Sequence, residues 1–474
     1  MNPILDDDVL CCILKELHTE YATLGNCALV SRGLNRLATK ILYSKVVWSP
    51  MYRPTIFSLK DKGVPPPSSM FSSACLPHHA PKVVSLEISG SLSPRPPSLN
   101  PFPAMLLDAI QSFVNMRSCR LTPTIYHEDL FTDVLGALKL LPYLSRLAVN
   151  SSCMDVSKVP KLVQITGINI LVLQDPTRAI LDALPSWLAN LTLTELHLKG
   201  NCGSITPGVL KSLVPYLDNI TAFSLGLSYS LTDEDVFSFL SQLPQLRSVT
   251  LQYYLQLRPS PVVPFLPNLR SFTAYYSPVW SREEADRLGK WIRTVIASSP
   301  IEHLALLSDD NFVTSNVRFD GIIHHLASKH HGRLQRLEMP RALISVDGLR
   351  LLCKECLVLE ELSVAGGKNV LTVLDQCIPQ MKYLHTAQID VRNIKQSLSS
   401  RFPSAAKNIM IKSSQLRRLN VDGFHLEVRN IPSLSWPFYN MYQARWSTSA
   451  AGSVELAVEQ VPFRIPPWER WEGV

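Results

Sequence analysis

The side chains with most chemical potential fall into a few small groups. Cys353 and Cys356 form a Cys-x-x-Cys pair, a spacing that can chelate zinc or cycle between dithiol and disulfide. His324, His325, His330 and His331 bunch in one short stretch, and His78 and His79 lie beside Pro77 with no third ligand at suitable spacing. Asp309–Asp310 and Glu360–Glu361 are adjacent acids. Adjacent side chains on a strand point to opposite faces, so neither pair is poised for joint general acid–base work. The chain has no Gly-x-x-x-x-Gly-Lys-Ser/Thr phosphate loop, no Gly-x-Ser-x-Gly elbow and no His-Glu-x-x-His motif. No enzyme is expected, and no catalytic residue, metal ligand or cofactor is assigned.

The elements that would position these groups are set by an internal repeat. A segment of the form apolar-x-x-Leu-x-apolar recurs at Leu144/Leu147/Val149, Leu193/Leu196/Leu198, Leu246/Val249/Leu251, Leu334/Leu337/Met339, Leu359/Leu362/Val364 and Leu416/Leu419/Val421. Weaker copies between Val83/Leu86/Ile88 and Met381/Leu384/Thr386 bring the total to about thirteen units with a mean spacing of roughly 28 residues. Helix signals lie between the strands. Thr232 with Asp235 and Ser281 with Glu284 have capping-box spacing, and Thr206 precedes Pro207 at a first helical position. Pro244 stops the helix carrying Val236, Leu240 and Leu243. Neither strand nor helix can cover its apolar side alone, so successive units must stack, strands in one parallel sheet and helices outside it.

The stretch Gly348-Leu349-Arg350-Leu351-Leu352-Cys353-Lys354-Glu355-Cys356-Leu357-Val358-Leu359-Glu360-Glu361-Leu362 resembles the cysteine-containing type of leucine-rich repeat, and Cys202, Ile205 and Thr206 resemble its turn. That resemblance implies an α/β leucine-rich-repeat horseshoe of the ribonuclease-inhibitor-like kind. It makes Cys356 a structural position, with Cys377 almost at the matching place one unit later. Gly321-Ile322 and Leu326 likewise assign the histidine group to a solvated helix face and turn.

Composition fits a packed fold. Of 474 residues, 46% are hydrophobic, 18% charged and 8% aromatic, away from disordered compositions. The net charge of +7 is scattered without a long basic run, so nucleic acid is not an expected partner. Asp6, Asp7 and Asp8 at the start argue against a secretory leader, and no apolar run is long enough to span a membrane. A cytoplasmic or nuclear location follows as the expectation, with the ten cysteines reduced and no disulfides.

Residues 1–48 read as a small helical module, 49–80 as a Pro/Ser-rich linker, 81–430 as the solenoid and 431–474 as a C-terminal capping segment rich in Trp and Pro. The module has more apolar residues than so short a segment can bury, which implies a partner or a neighbouring domain. Leu5-Asp6-Asp7-Asp8-Val9-Leu10, Ile13-Leu14 and Ala28-Leu29-Val30-Ser31-Arg32-Gly33-Leu34-Asn35-Arg36-Leu37-Ala38 resemble the F-box, and Ala38 to Val47 resembles the run that follows it in many fungal members. Asp6 stands where that family usually has Pro. The resemblance implies docking on a Skp-type adaptor, and through it a cullin scaffold, by Leu5, Val9, Leu10, Ile13, Leu14, Leu17, Leu29, Val30, Ser31, Leu34 and Leu37. The combination resembles F-box proteins with leucine-rich repeats, substrate receptors of SCF-type ubiquitin ligases. A ligase-independent scaffold, with the helices only capping the solenoid, is the alternative.

Strand alternation points to where a protein substrate would sit. Positions between the inward apolar ones face away from the helices, which selects His197, His303, Arg336, Glu338 and Glu361. Gln252, Tyr253 and Tyr275, at the strand ends of neighbouring units, join them as a candidate aromatic patch.

Overall fold

The computed structural model describes residues 6–18, 20–50, 67–96, 101–254, 260, 262–309, 316–392, 402–413, 415–421, 424–428, 440–448 and 454–462. The chain forms two compact units, Met1–Leu231 and Thr232–Val474.

The first unit opens with α1 (Asp7–Glu16), α2 (Tyr21–Val30) and α3 (Arg32–Leu42). Asp7 and Asp8 sit in the first turn of α1, where the helix dipole favours them. The Ser31 side chain caps α3 by accepting from the Leu34 N–H at 3.2 Å. Leu14, Leu24, Leu37 and Ala38 make the core of the three helices, with Leu10, Leu17 and Leu34 packed around them. Arg36 of α3 forms an ion pair with Asp7 of α1.

Then follow β1 (Lys45–Trp48), α4 (Pro67–Ala74), β2 (Ser85–Ser91), α5 (Phe102–Ser112), β3 (Ser118–Ile125), α6 (Thr132–Leu138) and β4 (Arg146–Val149). The unit continues through α7 (Val159–Leu162), β5 (Ile170–Gln174), α8 (Arg178–Leu188), β6 (Glu195–Asn201), α9 (Pro207–Leu213) and β7 (Ala222–Leu227). β1 to β7 pair in parallel, so Val46, Leu86, Cys119, Leu147, Leu171, Leu196 and Phe223 are successive rungs of one ladder. Every one of them is buried. At the end of β6, Gly200 adopts a positive φ, and a Cβ there would collide with the Asp175 carboxylate, which accepts the Asn201 N–H at 2.6 Å.

The second unit begins with α10 (Asp233–Leu240), β8 (Ser248–Tyr253), β9 (Ser271–Tyr276), α11 (Arg282–Val295), β10 (His303–Ser308), α12 (Asp320–Lys329) and β11 (Arg336–Ile344). It continues with α13 (Val346–Glu355), β12 (Glu361–Gly366), α14 (Val370–Cys377), β13 (Thr386–Val391), α15 (Phe402–Lys412) and β14 (Arg418–Val421). β8 to β14 are again parallel, with Val249, Phe272, Leu304, Leu337, Leu362, Ala387 and Leu419 as buried rungs. Both expected capping boxes are formed, at Thr232 for α10 and at Ser281 for α11.

The architecture is thus α/β with parallel strands, mostly alternating with helices and stacked in the manner of leucine-rich repeats. The repeat locates β2 to β12 and β14; its copy at Met381/Leu384/Thr386 falls three residues early, because β13 puts Ala387 and Ile389 on the core side, and β1 was not among the copies. It has only Val46 and Trp48 on the core side and takes its place by pairing with β2. α4 lies inside the stretch read as linker: Pro67 opens it and Phe71 is buried, its ring 5.9 Å from Phe102. After β14 come β15 (Phe424–Val428), antiparallel to it, then β16 (Asn440–Thr448) and β17 (Val454–Pro462), antiparallel to each other. Trp436, Trp468 and Trp471 of the expected capping segment lie outside the described residues.

Candidate functional site

The helical module divides its apolar residues sharply. Leu14 and Leu37 belong to its core, and Leu10, Leu17 and Leu34 pack against that core, so these side chains shape the module more than its surface. Leu29 and Val30, at the end of α2, are 84% and 72% exposed, and Val9 and Ile13 of α1 are 46% and 49% exposed. Ser31 is spent on the cap of α3. Leu5 lies outside the described residues.

The module is tied to the first strands. Tyr43, just after α3, stacks on His79 with ring centroids 3.8 Å apart, and its hydroxyl is 2.7 Å from Ser73 Oγ. His79 therefore serves packing, with His78 exposed and edge-on to it, and burial pushes His79 below its ordinary pKa.

On the face of each sheet opposite the buried rungs, the two units differ in chemistry. In the first unit His197 is held by Ser224 Oγ at 2.7 Å and by Glu195 at 3.1 Å. Its pKa is lowered, first by desolvation, while Glu195 acts the other way. Arg120 on β3, Arg146 on β4 and Lys199 on β6 are exposed on this face, with Ile170 and Val172 of β5 half-buried among them. Arg120 and Lys199 were not among the outward positions singled out from the sequence. Arg120 and Lys199 belong to a weak repeat copy and to a position beyond the motif, and strand phase would have found both.

In the second unit His303, Arg336 and Glu361 are neighbouring rungs of β10, β11 and β12, and Arg336 bridges to Glu361 at 3.3 Å. Glu338 is pushed above its ordinary pKa by desolvation first and then by Glu361. Gln252 donates to Asp309, which Ser277 also contacts at 3.4 Å. Desolvation raises Asp309 despite these donors, and desolvation with Glu338 and Asp309 raises the Tyr275 phenol. Gln252 and Tyr275 are adjacent in register on this face.

Tyr253 does not join them. It is one residue out of phase, on the helix side, where its ring lies 5.1 Å from Trp291. Trp291 also packs on Phe272 at 5.8 Å and donates to Asp233 at 3.1 Å.

The remaining reactive groups resolve into packing. Cys353 and Cys356 are both buried, and burial pushes Cys356 up to about 12. Cys353 hydrogen-bonds Cys377, which lowers the Cys377 thiol to about 7. The histidine stretch departs from a solvated face: His330 is only 6% exposed, and the His325 and His330 rings meet edge to face at 5.4 Å. His330 follows the end of α12 and closes the turn, with its N–H on the Leu326 carbonyl at 2.8 Å. Among the described residues no group of three or more metal-ligating side chains converges, and no helix is long and apolar enough to cross a membrane.

No protein-family model and no curated protein matches the sequence. Among solved structures the chain is similar to one in the crystal structure of the Rad7 and Elc1 complex in yeast, at 15% identity, with 88% of each chain covered and a TM-score of 0.36.

Proposed function

We propose that the chain is a substrate-recognition subunit of an SCF-type cullin–RING ubiquitin ligase. The helical module docks a Skp-type adaptor, the repeats hold a protein substrate, and the chain performs no chemistry itself. Catalysis belongs to its partners, and the chain raises the effective concentration of its target beside them. The observation that supports this most is the exposure of Leu29 and Val30 on a module whose own core is already filled. Two large apolar side chains that a small domain leaves in water mark a binding surface.

A second reading, a ligase-independent scaffold with a helical cap, draws support from Tyr43 and β1, which anchor the module to the first repeats. Co-purification of the full chain with a Skp-type adaptor separates them. The wild type should capture adaptor, and Leu29→Asp with Val30→Asp should abolish capture while circular dichroism stays unchanged. A folded wild type that never captures adaptor ends the ligase reading, and the capping role then stands alone.

A further inference from the structure

We propose that the open face of the first unit's sheet holds an acidic peptide segment with an apolar side chain at its centre. The inference rests on the repeats being the substrate-holding part of the chain, and it names the chemical class of that substrate.

Arg120 stands on the third rung of β3, Arg146 on the first rung of β4 and Lys199 on the fifth rung of β6. Strands about 4.8 Å apart and a rise of about 3.3 Å per residue spread these cations over roughly 15 Å in each direction, the reach of four or five extended residues. Their side chains are exposed and make no hydrogen bond or ion pair among the described residues. The Lys199 ammonium is disfavoured first by desolvation and then by Arg120 and Arg146.

Two acids share these rows, Glu87 opposite Arg120 in register and Glu195 two strands from Arg146, and each has a partner of its own. Glu87 pairs with Lys45 at 3.2 Å, and Glu195 with His197 at 3.1 Å. With Lys45, Arg120, Arg146 and Lys199 against Glu87 and Glu195, this face keeps an excess of positive charge, which favours a partner that brings carboxylates. Between the cations lie Ile170 and Val172, half-buried, with Ala148 beside Val172 in register. An apolar centre inside a charged rim is the anatomy of a protein-binding hot spot. A nucleic-acid track would instead continue the cations at phosphate spacing and would not place two carboxylates beside them.

The test uses the full chain and a fluorescein-labelled oligo-glutamate peptide with a central Leu-Leu pair. The same peptide with lysine for glutamate, one with serine for leucine, and a single-stranded RNA serve as comparisons in fluorescence anisotropy. The acidic peptide should bind best, and more weakly as salt rises. Arg120→Glu combined with Arg146→Glu should weaken it by about tenfold or more, because attraction to the peptide's carboxylates becomes repulsion, and Val172→Asp by a similar factor, because it puts a like charge at the apolar centre. Circular dichroism confirms folding. Should the reversals unfold the chain, Arg120→Gln with Arg146→Gln should still reduce affinity and its salt dependence. Equal binding of acidic and basic peptides, tighter binding of RNA, or affinity retained in the folded variants overturns the proposal. Adaptor capture is measured on the same samples. Capture without peptide binding defeats this inference and leaves the ligase reading standing; peptide binding without capture does the reverse.

Discussion

The two units present the same backbone ladder with opposite surface chemistry. On the first, Arg120, Arg146 and Lys199 form no ion pair among the described residues and surround Ile170 and Val172. On the second, Arg336 is bridged to Glu361, and Glu338 and Asp309 lie near Tyr275 at raised pKa values. Both sheets bury their apolar rungs equally well. Side chains alternate strictly across a strand, so the core-facing rungs bear the stability and the other rungs are free to vary. Recognition can therefore differ between units without changing the fold.

The sharpest way to break this comparison is to strike both cores. Trp187 of α8 is buried in the first unit and donates to the Ile165 carbonyl at 2.9 Å, while Trp291 fills the corresponding role in the second among Phe237, Tyr253 and Phe272. Trp187→Ala and Trp291→Ala should each cost about 3–5 kcal/mol in urea denaturation. A cost under about 1 kcal/mol for either one would show that its core is not maintained as the other's is.

A smaller effect separates the units by pH. His330 of the second unit is pushed down to about 4 by burial first, then by His325, Arg333 and Lys329, against an ordinary value of 6.5. The folded state thus binds fewer protons than the unfolded chain. Its contribution is full above about 6.5 and is lost as pH falls towards about 4, a decline of about 1–2 kcal/mol between pH 7 and 5. His330→Phe should flatten that decline in urea titrations at the two pH values, and an unchanged slope would place the acid sensitivity elsewhere.

The smallest effects sharpen the contrast between the faces. Lys199→Gln and Glu338→Gln each remove a charge that its surroundings disfavour, and should stabilise by a few tenths of a kcal/mol at pH 7, since solvent screens both groups. Their pH dependence runs in opposite directions. The gain from Lys199→Gln disappears as alkaline pH deprotonates the native lysine, and that from Glu338→Gln disappears as acid protonates the native glutamate. Thermal midpoints across pH check both.

Much of the fold was legible because its signals are local. Thr232 with Asp235 and Ser281 with Glu284 form capping boxes within single turns, and the apolar-x-x-Leu-x-apolar segments became β2 to β12 and β14, the copy at Met381/Leu384/Thr386 alone missing its strand by three residues. Less of the candidate surface was legible. Which apolar residues of the module face water depends on how three helices meet, so Leu14 and Leu37 went inward while Leu29 and Val30 stayed out. Tyr253 looked like a companion of Tyr275, but strand phase puts it against Trp291. β1 was invisible because two apolar residues make no repeat and only pairing with β2 defines it.

The Cys-x-x-Cys and the histidines show the same division. The resemblance to the cysteine-type repeat, carried by local spacing alone, made Cys356 a structural position at the end of a repeat's helix. Only tertiary structure decided that Cys353 meets Cys377 across neighbouring helices, that His330 turns inward, and how far apart Arg120, Arg146 and Lys199 stand on their shared face. Those encounters join residues from different repeats, and their distances are set by the stacking of whole strands and helices, which no local spacing encodes.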